Sequence, residues 1–411
     1  MGIAVTGAQH MGRCRPGPRL RRRPAFLVVA YAFTVVMLGG TIPTPLYPIY
    51  QHRIGFSALV VTLVFAAYAA GTLAALLVFG RLSDQVGRRP VILAALGVAV
   101  TSTAVFVLDQ SLTGLFVGRA LSGLSVGLCT GAATAGLAEL HPGSDRARGA
   151  LVASTVQMAG LGLGPLLSGL LSQYGPAPTT VPYLALLGLL LPAGLIALVP
   201  ETVSAVGRPH LGVQRLAVPA QIRAPFAAAA AAGFASFAFL GLLTSLVGRF
   251  LATSLHNTSY SLAGVLVFAL FLAVVVAQLL GARWSSRKAL LAGLGLLPAG
   301  LLLFVLALPT GSLALFVAGI ILGGLGVGLD FRAALALVSH LAPEGKRSEV
   351  VSAFFVAAYL GITLPVIGVG ILTTFASTLV AATAFAGVVT ALAGAAAWVI
   401  TSRAGSLALR G

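Results

Sequence analysis

Charge is scarce in this chain, and negative charge scarcest: of 411 residues 8% are charged, and Asp and Glu together number 8. A soluble domain carries about a quarter charged residues, so a globule wetted on all sides is excluded. Nor do so few acids form the His and carboxylate cluster of a hydrolytic or metal-dependent enzyme, and no metal site or cofactor is expected. Two cysteines, Cys14 and Cys129, are too few for a disulfide framework. The chain also lacks a G-x-x-x-x-G-K-[ST] phosphate loop, so it carries no nucleotide-driven motor of its own. What it has in abundance is apolar: 58% of residues are hydrophobic and the mean hydropathy is +1.04. The 25 basic residues give a net charge of +17, a balance that suits nucleic acid or a membrane. Apolar runs of spanning length decide for the lipid bilayer and against nucleic acid, since a helix crosses the hydrocarbon in about 20 residues.

Those runs fall at 25–48, 57–79, 91–108, 112–138, 149–172 and 180–200, then, after a polar linker, at 224–247, 260–281, 289–308, 312–338, 350–373 and 377–400. They are long, continuously apolar and not alternating, which predicts helices rather than a barrel. The expected fold is an all-α membrane protein of twelve transmembrane helices in two six-helix pseudo-repeats. Its parts are a basic tail (1–24), an N-terminal bundle (25–200), a linker (201–223), a C-terminal bundle (224–400) and a short tail (401–411).

The basic residues orient it. With both termini in the cytoplasm, all but four of the 25 fall in cytoplasmic tails, loops or linker. Arg53 and Arg249 lie in outer loops, and Arg119 and Arg332 lie within spans. The positive-inside rule demands this sorting for an even number of spans. The arginines before Ala25 read as a topology anchor rather than a secretion signal, because a long first span and eleven more follow. A multi-pass protein of the cell membrane is expected.

The two halves superpose in sequence at a constant offset of 201. Gly118, Leu121, Gly123, Leu124, Val126, Gly127 and Leu128 recur as Gly319, Leu322, Gly324, Leu325, Val327, Gly328 and Leu329. Gly80 recurs as Gly281, and Pro142 and Arg146 recur as Pro343 and Arg347 in loops where Ala/Gly/Leu bias cannot explain the match. Duplicated bundles can rock about a midplane site and expose it to one side at a time.

Three motifs carry the function. The loop after the second span runs Gly80-Arg81-Leu82-Ser83-Asp84-Gln85-Val86-Gly87-Arg88-Arg89-Pro90. It resembles the signature loop of the major facilitator superfamily, G-x-L-[AS]-D-x-x-G-R-[RK], at every defining position. The resemblance implies that Gly80, Asp84, Gly87, Arg88 and Arg89 form a gating loop that latches the outward-facing state on the cytoplasmic side. The second-half copy, with Arg283, Arg287 and Lys288, lacks the acid. In span 4, Arg119 followed by Gly123 and Gly127 resembles the family's fourth-helix motif, whose arginine is implicated in proton coupling. Arginine does not release its own proton, so its role would be to bias a nearby acid or water, or to bind an anionic substrate. Snorkelling to the outer interface is the alternative. In span 5, Gly160, Gly164, Pro165 and Gly169 look like the antiporter motif of the drug–proton antiporter branch, with Ser168 in place of one glycine. That motif favours export over uptake, and ordinary glycine packing is the alternative.

Asp330, in the inner half of span 10, is the candidate for the protonatable carrier, or else an interfacial acid balancing basic neighbours. Two residues apart, it and Arg332 do not share a helix face. Glu139, at the inner end of span 4, is a weaker coupling candidate. The first span holds no acid, whereas some drug exporters of the family use one there. Tyr31, Gln157 and Tyr359 are cavity candidates on spans that the family places centrally, and Tyr47 and Tyr50 read as an interfacial belt. The expectation is a monomeric secondary transporter, not an enzyme, that exchanges protons for small amphipathic molecules such as drugs. An importer of a sugar, organic acid or other metabolite and a non-transporting sensor or scaffold are its rivals.

Overall fold

A computed structural model describes residues 20–143, 145–203, 212, 216–343 and 346–402. Cys14, most of the N-terminal tail, much of the linker and nearly all of the C-terminal tail lie outside the described residues. In the N-terminal half the helices are α1 (Arg22–Thr41), α2 (Tyr47–Ile54), α3 (Ala58–Phe79), α4 (Leu82–Val86), α5 (Arg88–Leu108), α6 (Leu112–Leu140), α7 (Arg146–Tyr174) and α8 (Val181–Ala193). The second half holds α9 (Arg223–Ser254), α10 (Tyr260–Leu280), α11 (Ser286–Thr310), α12 (Leu313–Leu341), α13 (Arg347–Leu372) and α14 (Thr378–Ser402). Among the described residues, twelve helical segments are long and apolar enough to cross a membrane, which makes this a multi-pass membrane protein.

Two elements differ from the sequence expectation. The first span extends through a 3-10 turn at Thr44–Leu46 to Ile54, a stretch of 33 residues. Pro43 and Pro45 cannot donate to an α-helical ladder and tighten the turn, whereas Pro48 sits in the first turn of α2, where no donor is needed. The loop after α3 contains the short helix α4. Tyr47 and Tyr50 are not an interfacial belt. This extension folds them inward, where they are 2% and 0% exposed, and the Tyr50 hydroxyl donates to that of Tyr183 at 3.3 Å.

The repeat is visible in the packing. Helices α6 and α12 have 29 residues each, and their ends differ by the sequence offset. Ser111 and Ser312 cap them, accepting from the Gly114 and Leu315 amides at 3.2 and 3.3 Å. A Cβ at Gly123 would lie 3.0 Å from the Thr72 amide of α3, and one at Gly324 would lie 2.8 Å from the Leu270 carbonyl oxygen of α10. Small residues thus bring span 4 onto span 2 and span 10 onto span 8 in the same way.

Two hydrophobic clusters form the cores. One runs from Ala25 to Val199 in the N-terminal half. The other runs from Ile222 to Ile400, and Phe65, Ala69 and Met158 of the first half join it at the seam. Across that seam α7 packs on α10, and α3 packs on α13. At the end opposite the linker the approach is backbone-close. A Cβ at Gly169 would sit 3.1 Å from the Gly264 Cα, and one at Gly370 would sit 3.3 Å from the Leu59 Cα. There Gln173 Oε1 also accepts from the Tyr260 amide at 2.9 Å. Nearer the linker end, the Ser154 hydroxyl donates to Gln278 Oε1 at 2.8 Å.

Candidate functional site

Midway along the seam lies a narrow cavity of about 50 Å³, smaller than an open small-molecule site and consistent with a closed state. Its walls are mostly apolar, rich in aromatic side chains, and carry no charge. Phe65 and Tyr68 come from α3, Phe237 from α9, Phe331 from α12, and Phe355 and Tyr359 from α13. Phe237 centres a cluster, with its ring centroid 5.3 Å from that of Phe331 and 5.6 Å from that of Tyr359. The polar groups of the wall are few: Thr41, Thr130, Gln157 and Thr244, besides the tyrosine hydroxyls.

Of the three cavity candidates, Gln157 and Tyr359 line this space. Tyr31 does not. Its hydroxyl donates to the Leu189 carbonyl at 2.8 Å, which fixes α1 to α8 inside the N-terminal bundle. The two intramembrane charges lie one layer behind the cavity walls. Arg119, 1% exposed, donates from Nη1 to the Gly40 carbonyl at 2.6 Å. Its guanidinium carbon stands 4.3 Å from the Tyr68 ring centroid and 5.6 Å from that of Phe65. The side chain therefore turns inward and does not snorkel.

Asp330 is fully buried in the other bundle, with neither carboxylate oxygen hydrogen-bonded among the described residues. The buried Ser236 hydroxyl of α9 is its nearby polar neighbour, and it too has no hydrogen-bond partner among the described residues. Its sequence neighbour Phe331 and Ser236's neighbour Phe237 both face the cavity. Arg332 turns away and donates to the Gly281 carbonyl. Asp330 is therefore neither interfacial nor balanced by Arg332.

Glu139 sits at the linker end of α6, away from the cavity. It accepts from Arg88 at 3.0 Å and from the Thr202 hydroxyl. Arg88 also pairs with Asp84 at 2.5 Å and donates to the Ser83 hydroxyl at 2.7 Å. This weaker coupling candidate is thus a member of the loop cluster. Sequence reasoning missed Glu201, whose two carboxylate oxygens accept from the Arg88 and Arg89 amides at 2.8 and 3.1 Å. A carboxylate at a helix N-terminus answers both its unpaired donors and its dipole. Gly87 makes room for it: its φ of 105° suits glycine, and a Cβ there would lie 2.6 Å from the Glu201 Cδ. Gly80, where α3 ends, closes this loop. Asp84 pairs with Arg88, and Arg88 and Arg89 bond to Ser83, Glu139, Ala197 and Glu201, all in the N-terminal half or the start of the linker.

The span-5 motif residues hold α7 between two neighbours. A Cβ at Gly160 would lie 2.6 Å from the Thr34 carbonyl oxygen of α1, and one at Gly164 would lie 3.2 Å from the Leu38 carbonyl carbon. Gly169 and the Pro165 carbonyl instead face Gly264 of α10, and α7 continues through Pro165.

Residues 29–255 match the family model of the Major Facilitator Superfamily. An uncharacterized MFS-type transporter of Mycobacterium tuberculosis is 32% identical over 161 residues, 38% of this chain and 23% of that protein. Major facilitator superfamily domain-containing protein 10 of Bos taurus is 30% identical over 213 residues, 43% of this chain and 45% of that one. The quinolone resistance protein NorA of Staphylococcus aureus is 23% identical over 146 residues, 36% and 38% of the two chains. The chain thus spans less than half the length of each of these curated relatives. The crystal structure of the human organic anion transporter MFSD10 (TETRAN) superposes with a TM-score of 0.66 at 18% identity. It covers 93% of this chain and 100% of the solved one, a likeness of fold. With the family model matched over more than half its length, and with twelve spans in two similar halves, this chain belongs to the major facilitator superfamily.

Proposed function

We propose that the protein is a monomeric secondary transporter that exports small amphipathic compounds in exchange for protons by alternating access. The observation that carries this reading is the uncharged, aromatic-rich cavity at mid-depth between the two bundles. Such a wall suits compounds with a planar apolar body and a few polar groups. Its proton carrier would be Asp330. An unpaired carboxylate at this depth costs roughly 2.5–3.5 kcal/mol, and binding a proton removes that cost. The linker end, where the basic loops gather, would face the cytoplasm. The close-packed opposite end would then be the closed outer gate of an inward-facing or occluded state. The bundle boundaries would be 25–200 and 224–400, with the Gly80–Arg89 loop gating the inner face. The relatives support a small organic cargo, since one is named for quinolone resistance and a solved neighbour for organic anion transport.

Uptake of an organic acid is the second reading, favoured by a buried cation, Arg119, that has no carboxylate partner among the described residues. Purified protein in liposomes under an imposed pH gradient separates the two. Export by exchange predicts that amphipathic drugs move against the proton flow, whereas uptake predicts movement with it. If no candidate compound responds to the gradient, both readings are wrong.

A further inference from the structure

Arg119 is among the largest fully buried side chains of the described residues, and its charge is permanent. Among the described residues no carboxylate lies within ion-pair distance of it. Asp84 and Glu139 are taken by Arg88, Glu201 caps α5, and Asp330 rests in the opposite bundle. One carbonyl and two aromatic faces hold the guanidinium, and its Nε has no acceptor. A full charge at membrane depth normally faces a partner or a cavity, and here the protein supplies no partner.

The cavity is next to it. Tyr68 and Phe65, whose rings Arg119 covers, both line the cavity, as does Thr41, the neighbour of the Gly40 carbonyl that Arg119 binds. The positive charge therefore stands one side chain behind the N-terminal wall, in a low-dielectric setting where its field is weakly screened. On the far wall, Asp330 is set back behind Phe237 and Phe331 and rests against Gly293 of α11. The space between is polarised, with a permanent cation on one side and a titratable acid on the other.

We propose that the cavity takes planar aromatic compounds bearing one negative charge, and discriminates against cations of the same size. The anionic head lies on the Thr41–Tyr68 wall in front of Arg119, and the ring lies against the Phe237–Phe331–Tyr359 cluster. Substrate and proton then answer different groups, so they do not compete for one carboxylate. This inference rests on the reading of the cavity as the substrate site.

The test is equilibrium binding to the full-length protein in lipid nanodiscs, using 2-naphthoate, 2-naphthamide and 2-naphthyltrimethylammonium. The expected result is that naphthoate binds about ten-fold or more tightly than the ammonium compound, a gap of roughly 1.4 kcal/mol, with the amide between them. Arg119→Gln should bring anion and cation to within about two-fold of each other, a residue of roughly 0.4 kcal/mol, while leaving amide binding nearly unchanged. Arg119→Lys should keep the order. The wild-type comparison needs no variant, so a misfolded Arg119→Gln does not rescue the idea. Equal or tighter binding of the cation, no binding of any probe, or an anion advantage that survives Arg119→Gln in a folded protein overturns it. If drugs cross under the pH gradient but naphthoate has no advantage, only this inference falls. If naphthoate binds as expected and nothing is transported, the transport reading falls instead.

Discussion

Gly293 of α11 provides the space in which the Asp330 carboxylate of α12 lies. A Cβ at 293 would come 2.6 Å from the Asp330 Cγ and 2.8 Å from the Gly326 carbonyl oxygen. Two spans thus meet at a carboxyl group, and any side chain on the glycine must move the acid or part the helices. Gly293→Ala is expected to cost about 1–3 kcal/mol through overpacking and to impair gradient-driven transport. Gly295→Ala, on the same helix with nothing within 4 Å of its Cβ, is the control. It should be neutral or stabilising by about 0.5–1 kcal/mol. Thermal unfolding of the two variants in nanodiscs reads the contrast.

The role assigned to Asp330 has a sharper test. Asp330→Asn keeps the shape of the side chain and removes its capacity to carry a proton. Substrate exchange across liposomes with no gradient should continue at near wild-type rate, because exchange requires only alternation. Accumulation driven by a pH gradient should fall about ten-fold or more, equivalent to roughly 1.4 kcal/mol of lost coupling. Loss of both activities in a folded variant, or retention of both, would remove Asp330 from the coupling step.

Much of the architecture is legible in the amino-acid sequence. The spans could be read because hydrocarbon thickness sets their length. The duplication could be read because a loop proline and arginine, Pro142 and Arg146, recur outside the biased helices. That Asp330 and Arg332 would part followed from helix geometry, since about 100° per residue separates them by roughly 200°. The cavity wall was harder. Helices that are apolar all round have no polar stripe to show which way they face, so the sequence does not reveal that Tyr31 bonds α8 rather than lining the cavity. The role of Glu201 is not legible in the sequence, because it depends on where the chain returns after α8 and on the backbone angle at Gly87. Its one available signal was scarcity: in a chain with 8 acids, one beside a basic loop has a partner.

Glu201 and Gly87 should behave as one unit. Glu201→Ala leaves the Arg88 and Arg89 amides without their acceptor, a loss of about 0.5–2 kcal/mol on the helix-cap scale. Gly87→Ala forces a left-handed backbone on a residue with a Cβ, at about 1–3 kcal/mol, and drives that Cβ into the Glu201 carboxylate. The double variant should therefore be destabilised by less than the sum, by about 0.5 kcal/mol or more. Strict additivity in denaturation midpoints would show that the two residues do not touch in the protein in membranes.

Tyr31 and Gln157 separate packing from substrate contact. Tyr31→Phe removes the hydroxyl that donates to the Leu189 carbonyl and leaves the ring in place. The expected loss is about 0.5–1.5 kcal/mol of stability, with the KM for transported compounds unchanged. Gln157 contributes one of the few polar groups to the cavity wall. Gln157→Leu should leave stability within about 0.5 kcal/mol, since surface-like exchanges at a cavity wall break no buried network. It should shift KM several-fold, upward for compounds that hydrogen-bond the amide and downward for purely apolar ones. Transport kinetics and thermal unfolding on the two variants give a crossed pattern if the wall is the binding surface. A KM shift for Tyr31→Phe with none for Gln157→Leu would place the substrate path along α1 and α8 instead.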